Sequence, residues 1–185
     1  MSGIAERLDK LKQIITEEDF LMGRGLSNEV NIRIFTYDPK DEMAVRHFSE
    51  KLVSDVGLPC YIKEFNLYEI LLSICDEKNI TDRIPDLEEK KGRSFIVNQL
   101  SKMADNEAFV DRMKYSPHMA GDVILITGVG EVFPFIRVHS LLEAMQPHFT
   151  NVPIVVLYPG SYDGRYLKLF DLLEPNPYYR AFKAI

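Results

Sequence analysis

Apolar residues recur at Ile4, Leu8, Leu11 and Ile15 with acids and lysines between them, a spacing that predicts a helix over 4–20 with one buried stripe. Gly23 and Gly25 stop it ahead of a first strand at about Asn31–Tyr37, which the Asp38-Pro39 pair closes with a turn. Val45, Phe48, Leu52 and Val56 mark a second helix, with Gly57 as its stop. From Cys60 to Phe65 the pattern shortens to the alternation of a strand. Asn66 then stands as an N-cap with Glu69 three residues on, as in a capping box. Leu67, Ile70, Leu71 and Ile74 form the buried face of the helix it opens.

Between about 77 and 115 the strand signal disappears, and the chain reads as a helical insertion. Pro85 fits the first turn of a long helix presenting Leu87, Ile96, Leu100 and Met103, and a short helix carries Phe109 and Met113. The apolar run after Asp122 ends in Thr127-Gly128-Val129-Gly130, which predicts a buried parallel strand and a glycine turn. A helix from Pro134 to about Met145 follows, its buried stripe Phe135, Val138, Leu142 and Met145. Val152–Tyr158 reads as a fourth strand, Pro159–Gly164 as a loop, and Tyr166–Leu173 as a short helix. The tail, 175–185, reads as an edge strand or a docking segment. Strands separated by helices imply right-handed crossovers. The expected fold is therefore α/β, a three-layer Rossmann-like domain spanning 1–185, with a mostly parallel sheet of four to five strands. A strand order of 2-1-3-4 would put the switch point between the first and third strands, beside Thr127–Gly130.

The chain has 185 residues, 46% of them apolar, and a net charge of −6, which argues against a general duplex-DNA binder because phosphate contacts need clustered Lys and Arg. A local basic patch stays compatible with that average. Cys60 and Cys75 lack CxxC spacing and a nearby His pattern, so they read as buried thiols in a reducing compartment. Met1–Lys12 is charged and amphipathic without a signal-peptide core, and no apolar run approaches the ~20 residues that span a bilayer. A cytoplasmic location is expected.

The glycine turn sits where α/β proteins place ligands, yet its phosphate determinants are incomplete. No Lys follows Gly130, Phe133 occupies the third glycine position of GxGxxG, and Glu131 would repel phosphate. A tight packing turn is one reading; a degenerate nucleotide or anion site using Gly128, Gly130 and Arg137 is the alternative. Arg137 falls in the first turn of its predicted helix, where the dipole disfavours a cation, and so could meet a partner carboxylate or an anion. His139, Asp163 and Ser161 make a hydrolase-like set on paper, without the GxSxG elbow that exposes a nucleophile. His47, His118 and His148 lack metal-ligand spacing. No catalytic residue, metal or cofactor is expected. Tyr158–Gly164 reads either as a rigid Ω-like loop or as a recognition loop anchored by Tyr162. Candidates for partner binding are Tyr162, Asp163, Tyr178, Tyr179, Arg180 and Phe182.

Thr-Gly-Val-Gly130, Phe-Pro-Phe-Ile-Arg-Val-His139, Tyr-Pro-Gly160, Tyr-Asp-Gly164 and Tyr-Tyr-Arg-Ala-Phe182 appear in that order, after Phe20–Glu29 and Phe65-Asn-Leu-Tyr68. Together they resemble the BrxB family of BREX bacteriophage-exclusion systems across most of the chain. The resemblance implies a cytoplasmic component of an antiphage defence that tells self from phage DNA by methylation. Members have no assigned catalytic activity and accompany a PglZ-type phosphatase-like protein, a BrxC-type ATPase and a BrxX methyltransferase. Taken with the missing catalytic set, the resemblance leads to the expectation of a non-enzymatic adaptor linking the phosphatase-like and ATPase components; exposed sheet edges and aromatic tails leave a homodimer open. Direct DNA binding ranks behind the adaptor and the nucleotide-binding readings.

Overall fold

A computed structural model describes residues 3–24, 31–178 and 180–185. The helix expected over 4–20 is two, α1 (Ile4–Thr16) and α2 (Glu18–Leu21), because Glu17 is extended with ψ 134°. The Thr16 hydroxyl caps the last turn of α1 by donating to the carbonyls of Lys12 and Gln13. The break swings Phe20 into the same core as Leu8, Leu11 and Ile15. Gly23 follows with φ +61°, while Gly25 lies outside the described residues.

Strand β1 (Ile32–Tyr37) leads through a 3-10 turn, Pro39–Asp41, into α3 (Glu42–Ser54) and on to β2 (Tyr61–Asn66). Val56, expected on the buried face of α3, lies beyond its end and is fully exposed. Asn66 caps α4 (Leu67–Glu77) as its sequence predicts, its Oδ1 accepting from the amides of Tyr68 and Glu69. The insertion continues through a 3-10 turn at Thr81–Arg83, α5 (Ile84–Lys91), α6 (Arg93–Met103) and α7 (Asn106–Met113). Gly92, at φ +81° and ψ 163°, splits the expected long helix into α5 and α6.

Strand β3 (Asp122–Thr127) is buried at every position. After it, residues 131–135 form turns, with Val132 N–H donating to Gly128 and Phe135 N–H to Val132. Helix α8 spans Val138–Met145 rather than starting at Pro134. The fourth strand, β4 (Ile154–Tyr162), runs on through the expected loop and folds back as β5 (Tyr166–Leu169), where a short helix was expected. Leu167 and Leu169 are buried and alternate with Tyr166 and Lys168, so the period of two prevails over the helical one. Gly160 makes this hairpin close: a Cβ there would lie 2.2 Å from the Lys168 carbonyl oxygen. The tail adds β6 (Asn176–Pro177) beside β5, and β7 (Phe182–Lys183) as the edge strand next to β1.

The parallel order is β2-β3-β4-β1-β7, with β5 antiparallel to β4, and this corrects the expected 2-1-3-4. All six residues of β1 pair with β4, from Ile32 opposite Ile154 to Tyr37 opposite Pro159. The largely apolar β3 and β4 take the middle, whereas β2, with Lys63 and Glu64 at its centre and Tyr61 exposed, takes an edge. The first and third strands are consequently separated by β4. Successive strand residues feed opposite cores. Phe35, Val123, Leu125, Val155 and Leu157 pack under α1 and α3, and Ile34, Ile124, Ile126, Ile154 and Val156 under α4, α7 and α8. These are the three layers of a Rossmann-like fold. No helix of the described residues is long and apolar enough to cross a membrane.

Candidate functional site

The carboxyl ends of β1, β2, β3 and β4 converge on a cleft lined by Tyr37, Glu42, Arg46, Glu64, Asn66, Thr127, Gly128 and Glu131. It measures about 30 Å³, enough for a single water. Its polar groups satisfy one another. The Tyr37 hydroxyl donates to Glu42 at 2.7 Å, the Thr127 hydroxyl to Glu64 at 2.7 Å, and Arg46 Nη2 to Glu131 at 2.8 Å. Arg46 also lies 3.7 Å from Glu42. Burial, reinforced by the bond to Glu42, holds the Tyr37 hydroxyl protonated well beyond the usual phenol range. The Arg46 guanidinium is held charged first by its bond to Glu131. Three carboxylates and one guanidinium line the cleft, an acidic balance that disfavours phosphate. Sequence reasoning passed over this cluster, whose members are brought together from separate elements of the chain.

The glycine turn beside the cleft is a packing device. Gly128 has φ +70°, and a Cβ on it would lie 2.4 Å from Asn66 Oδ1 and 3.1 Å from the Tyr68 amide nitrogen. The cap of α4 thus fills the space a side chain at this position would need. A Cβ on Gly130 would come within 3.0 Å of the Phe170 ring and 3.1 Å of Pro159. Arg137 is not in the first turn of a helix but is the extended N-cap of α8, its guanidinium 4.9 Å over the Phe133 ring. Gly128, Gly130 and Arg137 are thus near one another in sequence but are engaged separately.

The hydrolase-like trio is likewise divided. Asp163 turns the β4–β5 hairpin by accepting from the amides of Arg165 and Tyr166, and the Tyr166 and Arg165 bonds hold its carboxyl below the usual range. Ser161 is exposed on β4 opposite Lys168. His139 is half-buried on α8; burial lowers its pKa, with Glu143 opposing and Arg137 adding to the shift. Among the described residues no group of three or more His, Cys, Asp or Glu is arranged to hold a metal ion.

Of the aromatic candidates, Tyr162 is buried, and its hydroxyl lies 2.9 Å from the Tyr178 carbonyl and 2.8 Å from that of Ala181. Tyr178 is buried as well, its amide donating to the Arg165 carbonyl. Arg180 is exposed and donates to Gln146 at 2.8 Å, and Phe182 lies under the Arg33 guanidinium, 4.9 Å from its ring. Tyr179 is outside the described residues. A second opening, an apolar groove of about 260 Å³, runs between α4 and α6 and is lined by Tyr68, Leu72, Ile84, Val97 and Phe135 among others.

Fold and site together define an α/β protein of the Rossmann-like class whose strand-end mouth is acidic and internally paired. The chain belongs to the BrxB family: the family model described as "BREX protein BrxB" matches residues 63–184. It is similar to the BREX protein BrxB of Bacillus cereus (strain H3081.97), 41% identical over 192 aligned residues that cover 100% of this chain and 99% of the relative. It is also similar to the BREX protein BrxB of Escherichia coli O9:H4 (strain HS), 27% identical over 180 residues covering 97% and 90% of the two chains. No solved structure matches.

Proposed function

We propose that this protein is a non-enzymatic adaptor of a BREX antiphage defence complex, acting in the cytoplasm and joining a PglZ-type phosphatase-like protein to a BrxC-type ATPase. Family membership supplies the system. The observation that carries the adaptor reading is the strand-end cleft, where Glu42, Glu64, Glu131 and Arg46 are bound to the protein's own groups rather than arrayed toward a substrate. The partner-facing surface in this reading comprises the strand-end loops and the exposed side of the β4–β5 hairpin and tail. Asp163, Arg180 and the partly exposed Phe182 stand on it, and buried Tyr162 and Tyr178 brace it from beneath. Co-purification of the three proteins tests the proposal. Stoichiometric capture of either component, independent of ATP, is the expected result; capture of neither under gentle conditions overturns it.

A further inference from the structure

We propose that Arg137, laid on the ring of Phe133, grips a carboxylate on the protein partner of this chain; the proposal rests on the adaptor reading above. Arg137 is exposed and extends from the start of α8 with φ −107° and ψ 122°. That position faces the positive end of the helix dipole, which disfavours a cation. No hydrogen bond or ion pair to another described residue compensates it. Glu143 and Asp171 act at longer range on His139 and Tyr158, the two groups that also feel Arg137. Arg46, by contrast, is committed to Glu131 and Glu42.

The guanidinium is nonetheless held in place. It stacks 4.9 Å over Phe133, and Phe133 packs edge-on against Phe170, with centroids 6.5 Å apart and planes at 88°. Phe170 in turn abuts Gly130. Stacking uses the flat face of a guanidinium and leaves its in-plane N–H donors for an acceptor. A carboxylate matches that fork with two parallel bonds, and a donor already immobilised loses little freedom on binding. A protein partner fits better than a small anion. Arg137 borders neither the strand-end cleft nor the apolar groove, so a small ion would find no walls, whereas a docked protein brings its own.

The test measures binding of the purified phosphatase-like and ATPase components to wild type, Arg137→Glu, Arg137→Lys, Phe133→Leu and a control, Arg83→Glu. Arg83 is also exposed and lies in the 3-10 turn before α5, so its variant makes the same charge change elsewhere. Melting temperatures confirm that each variant folds. Arg137→Glu is expected to weaken binding by about tenfold or more, and Arg137→Lys and Phe133→Leu by roughly threefold to tenfold, with Arg83→Glu near wild type. Equal losses for Arg83→Glu and Arg137→Glu would reduce the effect to general charge and overturn the proposal. Undiminished binding by Arg137→Glu would overturn it while leaving the adaptor reading standing. If wild type binds neither component, both fall.

Discussion

A methyl group at Gly160 would meet backbone, the Lys168 carbonyl at 2.2 Å, whereas at Gly128 its first obstacle is the Asn66 side chain at 2.4 Å. Side chains can yield and paired strands cannot, so Gly160→Ala should cost more than Gly128→Ala. The latter should lose about 2–3 kcal/mol in urea unfolding, from the clash and the positive φ together. Tyr178 gives a pH signature. Burial pushes its pKa to about 12, above the ordinary phenol value, so its contribution is complete below pH 10 and lost as pH rises toward 12. The linked loss is about 2–3 kcal/mol. Melting temperature followed from pH 8 to 12 should fall, and Tyr178→Phe should flatten the fall. At this scale the sequence showed a tight glycine turn but not its obstacle, because Asn66 belongs to a different strand end. Tyr162 looked like a recognition anchor because its neighbours are turn formers, and only the continuation of β4 through Pro159-Gly160 buries it.

The cap of α4 was readable because its signal, Asn66 followed by Glu69, is local. Strand β5 was not, since four residues with apolar groups at two positions suit either period. Its end is also poorly encoded: Phe170 and Asp171 adopt φ +56° and +57°, a left-handed pair usually given to Asn-Gly. Asp171→Gly should therefore stabilise the protein, by about 0.5–1 kcal/mol in denaturant melts. A second expectation concerns β2, whose outer edge has no strand partner among the described residues. Antiparallel addition of a second copy in either central register sets Lys63 against Lys63 or Glu64 against Glu64, and like charges directly opposed resist pairing. Replacing both with Thr should raise the mass seen by light scattering above that of wild type.

The layers of the whole molecule followed from alternating strands and helices, but the strand order did not, because pairing between distant segments leaves no periodic trace. The acidic mouth escaped notice for the same reason: its members come from β1, α3, β2 and the turn after β3. Calorimetry with ATP, GTP and dinucleotides should give no binding heat, given the carboxylates and the Asn66 cap beside Gly128; micromolar affinity lost on Arg137→Ala would reverse that reading. The placement of β1 carries one more consequence. Its neighbours, β4 and β7, are Ile154–Tyr162 and Phe182–Lys183, both encoded far downstream. As the ribosome extends the nascent chain, this apolar first strand emerges long before either partner exists. Strands β2 and β3 can pair first, but β1 stays unpaired until β4 has been made, and that interval leaves its edges open to misassembly.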